Sequence, residues 1–394
     1  MGRQNYLSAL GDRLQYAHQH RPIDYMLVKL ATRCNLSCNY CYWFRDEDVY
    51  QKPPKLTEEA QHFWLTSLRR HILKYRLKSF KFLFHGGEPL LFGTSRFHTL
   101  MADLDGLSKD LDCFFHYSIT TNAVLLDEDW LSIFRHYRVN ITVSLDGPPQ
   151  LNDHRRPDLK GQGSYTRTLN GIRLLQAAKM DFGLLAVADP SSSPRLVVDH
   201  FVDDLNVTSF DILIPDACHD DDPQPIGDYF VMLFDYLNQR QLGNASGRRL
   251  YKNIVRGLLG APTATESIGF GPISTCTLLT DGAIEALDVV RITGTGSTRS
   301  TINVMTNEIQ DITTDPLWLE LLYASTHLPD KCGECCFSNS CGGGHISSRW
   351  NNLNRFDRES VYCESLIQLN HHIWDYLVCR LGIQEIIGVL DESN

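Results

Sequence analysis

The chain has 394 residues, enough for one large or two moderate domains and for a sizeable core. Its apolar share of 43% and charged share of 21% are ordinary globular values, and they exclude a disordered, collagen-like or coiled-coil chain. A net charge of -10 without a basic run argues against nucleic-acid binding, no apolar stretch reaches the length of a membrane span, and MGRQNYLSAL lacks a charged-then-apolar signal pattern, so a soluble cytoplasmic protein is expected.

Taken in chain order, residues 3–20 read as a helical arm. A strand-then-helix rhythm follows. Strands are expected over 25–31, 81–84, 114–120, 140–145, 182–188 and 210–214. Helices are expected over 57–74, 97–111, 127–136, 165–179, 195–204 and 228–238, with Asp127 as an N-cap. Six such βα units imply a parallel sheet with helices outside, an α/β barrel or part of one. Around 243–265, Gly, Ser, Pro and Ala collect and the rhythm stops. The chain therefore divides into an arm (1–21), a barrel unit (22–242), a linker (243–265) and a C-terminal unit (266–394). Within the last, strand-like pieces at 275–280 and 283–287 flank a turn, a Gly/Thr/Ser-rich loop spans 293–301, and a helix near 360–381 closes the chain.

Twelve cysteines are too few for a disulfide scaffold of this size and too clustered for chance. Seven lie at Cys34, Cys38, Cys41, Cys332, Cys335, Cys336 and Cys341, and in a reducing compartment such clusters bind metal more often than they pair. Four Asn-x-Ser/Thr sites therefore carry little weight. Cys34, Cys38 and Cys41 have the spacing C-x3-C-x2-C directly after the first strand. Three thiolates can hold one face of an iron–sulfur cubane and leave its fourth iron open to a small molecule. A structural zinc site wants a closed set of four ligands, and no fourth Cys or His lies nearby. The bland alternative is three reduced core cysteines or part of a zinc knuckle.

This spacing, with Tyr40 before the last Cys, resembles the radical S-adenosylmethionine (SAM) superfamily. The resemblance implies a partial (β/α)6 TIM-like barrel, a [4Fe-4S] cluster on Cys34, Cys38 and Cys41, and SAM bound beside Tyr40. The family's GGE-type loop is matched by Gly86-Gly87-Glu88-Pro89 after the second strand, where glycines allow close backbone approach and carbonyls with Glu88 can accept from an ammonium. Thr120-Thr121-Asn122-Ala123 ends the third strand, and Ser144-Leu145-Asp146-Gly147-Pro148 the fourth. All four segments fall at strand carboxyl ends, the face where barrel active sites form. By resemblance Ser144 and Arg156, twelve residues later, contact the SAM carboxylate or ribose, and Asn122 is a further contact. For Asn122 and Asp146, turn formation is the competing explanation.

Cys332, Cys335 and Cys341, followed by Cys363, can saturate a cluster or a zinc ion, and spacing does not choose between them. The pattern resembles the SPASM extension of radical SAM enzymes, which implies a C-terminal SPASM-like domain with an auxiliary [4Fe-4S] cluster on these four residues. The extension continues C-x3-C and carries a G-x4-C turn. Here His345 and Leu287 occupy those two cysteine positions, so one auxiliary cluster is expected rather than two. A loop hydrogen bond is the leading role for His345, with metal ligation the alternative. Cys276 is given no metal, and Cys336 lies off the pattern.

DGAIEALD (281–288), the 332–350 stretch and SVYCESL (360–366) resemble FxsB-type radical SAM/SPASM maturases. That family implies a ribosomally made precursor peptide as substrate and a three-residue cyclophane as product. The deoxyadenosyl radical would take hydrogen from a peptide Cβ, and the carbon radical would add to a neighbouring aromatic ring. An electron then leaves through the auxiliary cluster, and a proton leaves to a base. Asp288, where sulfatase-maturing relatives place a catalytic Asp, is the first candidate base; a loop carboxylate is the bland reading. Asp216, Cys218 and His219 follow the sixth strand and could also face the cavity, and the acidic run 220–222 reads as solvated surface that can attract a basic leader. The family also implies a reductant such as flavodoxin or ferredoxin. With 33 residues before Cys34, no fused leader-binding domain is expected there, so recognition falls to the barrel rim, the extension or a separate leader-binding protein. Two other readings stand beside this one: oxidation of a protein side chain, as in sulfatase maturation, and a non-enzymatic zinc-binding adaptor.

Overall fold

The computed structural model describes residues 11–17, 21–242, 246–261 and 267–381. Residues 11–17 (α1) are helical; the rest of the expected arm, other than residue 21, lies outside the described residues. Strands β1 (Tyr25–Ala31), β2 (Ser79–Gly86), β3 (Phe114–Thr121), β4 (Asn140–Ser144), β5 (Phe182–Val187) and β6 (Phe210–Leu213) pair in parallel in sequence order. Helices α2 (Glu58–Tyr75), α3 (Thr94–Leu111), α4 (Glu128–Tyr137), α6 (Tyr165–Ala177), α7 (Pro194–Asp199) and α8 (Gly227–Gln239) make the crossovers. The expected α/β architecture, a partial TIM-like barrel, is what forms.

Side chains alternate across a strand, and that alternation builds the core. In β2, Phe80, Phe82 and Phe84 are buried toward the helical layer, where Phe84 meets Phe97 and Phe82 meets Trp64 edge-on. Leu83 and His85 point the other way, into the barrel interior. In β1, Met26, Val28 and Leu30 are buried with the helices, while Tyr25 and Leu27 line an interior cavity. Lys29 falls in register with His85, so a charged residue and an imidazole become neighbours on the inner face.

The two expected C-terminal strand pieces are β7 (Cys276–Leu278) and β8 (Ile284–Glu285). β7 pairs in parallel with the free edge of β1, and β8 follows antiparallel, giving the order β6-β5-β4-β3-β2-β1-β7-β8. The final helix α13 (Cys363–Leu381) packs against α8. Three elements differ from expectation. The supposed linker holds helix α9 (Arg249–Leu258), whose Tyr251 and Ile254 are buried; the surrounding Gly and Pro masked this short amphipathic run. A short helix α5 (Pro149–Arg155) follows the fourth loop, started by Pro149, whose ring pre-sets a helical φ. The seventh helix ends in a π-turn over His200–Asp204. Among the described residues no helix is long and apolar enough to cross a membrane.

A buried guanidinium ties the C-terminal unit to the first loop of the barrel. Arg291, 2% exposed, is ion-paired with Asp46 and with Glu285 and lies 4.5 Å from the Trp43 ring centroid. Removing one partner of a buried pair leaves an uncompensated charge and costs about 3–5 kcal/mol. Arg291→Ala is therefore expected to lower the unfolding free energy by about that amount, checked by urea titration followed by fluorescence; a loss under about 1 kcal/mol would show that the two carboxylates find other partners.

Candidate active site

The cysteine loop leaves β1 and is clamped from the far side of the barrel mouth. Ser37 N–H donates to the Pro157 carbonyl at 2.8 Å, and Asn39 N–H to the Arg155 carbonyl at 3.1 Å. Cys34, Cys38 and Cys41 are half-buried. Burial, with the nearby Glu88 charge second, pushes the Cys34 thiol up to about 12, and burial raises the other two as well. Three adjacent buried thiols of this kind ionise only where positive charge takes the protons' place, which suits iron ligation.

The loop after β2 lies flat against the cysteine loop. Gly87 N–H donates to the Ala31 carbonyl and Glu88 N–H to the Arg33 carbonyl, both at 2.9 Å. A Cβ on Gly87 would stand 2.3 Å from the Arg33 carbonyl oxygen, so only glycine permits this approach. The Glu88 carboxylate is engaged inside the protein. It accepts from Thr121 Oγ1 at 2.6 Å, from Leu90 N–H at 3.0 Å and from Asn122 N–H at 2.9 Å. Its observed work is to lock the second loop to the third. Asn122 donates through Nδ2 to Asn35 Oδ1 at 2.8 Å, which brings the third loop to the cysteine loop.

The fourth loop completes the ring. Asp146 accepts from Tyr40 Oη–H at 2.7 Å and from Val187 N–H at 3.1 Å. Arg156 donates to Tyr40 Oη at 2.6 Å, and the Arg155 guanidinium lies over the Tyr40 ring at 4.5 Å. Asp146 is thus more than a turn former: it joins the cysteine loop to β5. Ser144 ends β4, half-buried. The structure brings Tyr40, the 86–89 loop, Asn122 and Arg156 around one mouth.

Behind that mouth is a cavity of about 360 Å³. Tyr25, Leu27, Leu83, Val187, Ile212 and Leu287 supply apolar walls, and Tyr42, Asp288, Asp216 and His345 supply polar ones. Asp288 is ion-paired with Lys29 and accepts from Tyr42 Oη–H at 2.8 Å; Lys29 Nζ also lies 3.1 Å from His85 Nδ1. Burial, the largest single influence, raises the Asp288 carboxyl, but the Lys29 and His85 charges together with the hydrogen bonds from Lys29 and Tyr42 outweigh it and hold it at about 2. Burial lowers Lys29, and burial with the Lys29 charge drives His85 down to about 3. The candidate base is therefore a stabilised anion with little affinity for a proton. Lys29 and Tyr42 went unassigned at the sequence level; a lysine within the apolar run YMLVKLA was the available signal, because a buried charge demands a partner.

Cys332, Cys335, Cys341 and Cys363 line a separate cavity of about 100 Å³ with Phe337 and Glu359. His345 does not line it; it faces the larger cavity instead, 3.7 Å from Asp216. Zinc would draw its sulfurs to within about 4 Å of one another, yet among the described residues no three His, Cys, Asp or Glu side chains converge on one ion. Burial pushes Cys332 up to about 11 and Cys341 to about 12, and Arg349, itself lowered to about 10 by burial, offsets the charge of Cys332. Cys336 is exposed, and Cys276 is buried in the sheet. Of the other residues after β6, Cys218 is buried outside the cavity lining, and His219 binds the Glu359 carbonyl through Nε2 at 2.8 Å.

Residues 28–191 match the family described as the Radical SAM superfamily. A serine-type anaerobic sulfatase-maturating enzyme of Klebsiella aerogenes is 32% identical over 168 residues, 42% of this chain and 40% of that protein. The match thus spans about two fifths of the length of the first curated relatives. A cysteine-type anaerobic sulfatase-maturating enzyme of Clostridium perfringens is 22% identical over 377 residues, 91% of this chain and 98% of the relative. Among solved structures, native anSMEcpe with bound AdoMet and Cp18Cys peptide superposes with a TM-score of 0.76 at 18% identity, covering 90% of this chain and 97% of that one. Streptococcus suis SuiB bound to precursor peptide SuiA gives 0.57 at 16% identity, covering 87% and 76%. At these identities the two structures establish the fold.

The Lys29–Asp288 pair is open to a direct test. Asp288→Leu strands the buried lysine and is expected to cost about 3–5 kcal/mol at pH 7, while Lys29→Met with Asp288→Leu recovers most of it. Because the folded carboxyl sits at about 2, below its ordinary 3.8, its contribution is full above about pH 4 and fades as pH falls toward 2. Denaturant midpoints from pH 5 to pH 2 check this: the wild-type slope should exceed that of the double variant, and equal slopes would remove Asp288 from the linkage.

Proposed function

We propose that this chain, an enzyme of the radical SAM superfamily, modifies a ribosomally made precursor peptide, joining an aromatic side chain to a neighbouring Cβ. The observation that carries the reading is the cavity of about 360 Å³ behind the cysteine loop, apolar along the barrel strands and polar at Asp216, His345 and Asp288. It has room for a side chain or two of a peptide and places them next to the SAM mouth. Peptides are bound in anSMEcpe and in SuiB, whose folds this chain shares, and that supports the substrate class.

In this reading Cys34, Cys38 and Cys41 hold a [4Fe-4S] cluster, and the backbone of Gly86, Gly87, Glu88 and Pro89, with Asn122, Ser144, Arg156 and Tyr40, surrounds SAM. Glu88 also locks the second loop to the third, accepting from Thr121, Leu90 and Asn122, and its two oxygens keep acceptor capacity for the ammonium. Cys332, Cys335, Cys341 and Cys363 hold one auxiliary [4Fe-4S] cluster. When bound, these groups supply a deoxyadenosyl radical from SAM and an acceptor for one electron. The chain's own residues orient the peptide, exclude water and take one proton. The peptide loses one hydrogen atom to deoxyadenosine, then one proton and one electron, so each ring formed removes two hydrogens. A flavodoxin or ferredoxin supplies the reducing electron, and a separate protein can present the leader.

Side-chain oxidation is the second reading, favoured by similarity along nearly the whole chain to a cysteine-type sulfatase-maturating enzyme.

Anaerobically purified protein should carry about eight irons per chain, and Cys332→Ala with Cys335→Ala about four. The Cys34→Ala, Cys38→Ala, Cys41→Ala variant should yield no deoxyadenosine. Co-expression with the small open reading frames encoded beside the gene should give a peptide two hydrogens lighter by mass spectrometry. Unchanged masses across those peptides would refute the crosslink, and a lighter peptide carrying an aldehyde would select the second reading.

A further inference from the structure

The oxidative step leaves a proton on the substrate, and Asp288 is badly placed to take it. Its Oδ2 already accepts from Lys29 and Tyr42, and it is ionised far below neutrality. The opposite wall of the same cavity holds a differently prepared pair. His345 Nδ1 lies 3.7 Å from Asp216 Oδ1 and 3.4 Å from Ser347 Oγ. No protein partner is found for its Nε2 among the described residues, and both residues line the cavity. An imidazole whose Nδ1 has Ser347 Oγ within hydrogen-bond reach and a carboxylate just beyond it, on the wall of a chamber, leaves Nε2 as the nitrogen able to accept a proton.

The backbone supports this placement. Gly342, Gly343 and Gly344 run with φ of 62°, 78° and 75°, a left-handed path that side chains disfavour. A Cβ on Gly342 would stand 2.1 Å from Gly269 backbone atoms, and one on Gly344 2.8 Å from Ser360 Cβ. The His345 carbonyl is then held by Ser348 through its N–H at 2.9 Å and its Oγ–H at 2.6 Å. This build aims His345 away from the four-cysteine cavity and into the large one.

We infer that His345 is the catalytic residue that takes the proton leaving the substrate, with Asp216 as its positioning residue. The inference rests on the peptide-modifying reading and sharpens it. The substrate carbon–hydrogen bond on the attacked ring breaks heterolytically. Its proton goes to His345 Nε2, its electron pair restores the ring, and the single electron displaced passes to an oxidised iron–sulfur centre. Asp288 stays an anion throughout, balancing Lys29 and fixing Tyr42.

The test uses the full chain with its reconstituted clusters, SAM, dithionite and the co-expressed peptide. Deoxyadenosine and modified peptide are counted together in wild type, His345→Ala, His345→Gln and Asp216→Asn. Hydrogen abstraction precedes proton loss, so the His345 variants should form deoxyadenosine within about threefold of wild type while modified peptide per deoxyadenosine falls about 100-fold or more. Asp216→Asn should lower the same ratio less. Added imidazole should restore part of the yield in His345→Ala. Peptide affinity measured by fluorescence anisotropy on the cluster-free chain should stay within about twofold of wild type, which separates proton transfer from binding. A wild-type ratio in both His345 variants, or a ratio that falls only together with peptide affinity, would overturn the inference and leave the function intact. A wild-type chain that modifies no peptide would sink the function, and this inference with it.

Discussion

The interaction on which the site depends is the burial of two cations from opposite directions in the seam between barrel and C-terminal unit. Lys29, on the first strand, reaches Asp288 in the C-terminal unit; Arg291, in the C-terminal unit, reaches back to Asp46 beside the cysteine loop. Apolar replacements of such pairs are often as stable, so stability alone does not explain them. Their geometry does. Sliding of the seam would part Lys29 from Asp288 and Asp46 from Arg291, leaving buried ions uncompensated, so the pairs favour one docking arrangement. Trp43 stacks against both cations, at 4.5 Å from each, so the turn after Cys41 is held between them.

From that fixed seam, the parallel register does the rest. Strands that begin together end together, so the loops carrying Cys34, Gly87, Asn122 and Asp146 are delivered to one rim. They are then tied by polar bonds rather than by packing: Glu88 joins the second loop to the third, Asn122 the third to the first, and Tyr40 with Asp146 the first to the fourth. These hydrogen bonds hold the mouth together without filling it with apolar side chains.

The partial barrel, its six βα units and the four loops were legible in the sequence because each rests on a local signal: an apolar run, a glycine pair, a cysteine spacing. What escaped depends on register and on chain ends far apart in sequence. Lys29 looked like an interruption of a strand until His85 and Asp288 stood beside it. Helix α9 was hidden by the glycines and prolines around it, although Tyr251 and Ile254 already stood three residues apart. His345 was read against a cysteine pattern, as a substitution within it; only the path of three left-handed glycines shows that its side chain departs toward another cavity.

The large cavity contains two carboxylates, Asp288 and Asp216, and their difference sets its chemistry. Two like charges facing one apolar chamber would raise each other's proton affinity, and a substrate side chain entering between them would meet a symmetric field. Lysine beside one and histidine beside the other breaks that symmetry. Lys29 is wholly buried and cannot be reached from the chamber, so its charge fixes Asp288 and stays behind the wall. His345 is partly exposed and lines the chamber. One wall then offers an anion fixed by its lysine, and the other a histidine beside a carboxylate. Leu287 lines the same space beside Asp288. An apolar side chain there, with Leu27 and Leu83 on the strands, lowers the polarity of the space between the two polar groups, so the charge of each acts more strongly there than it would in water.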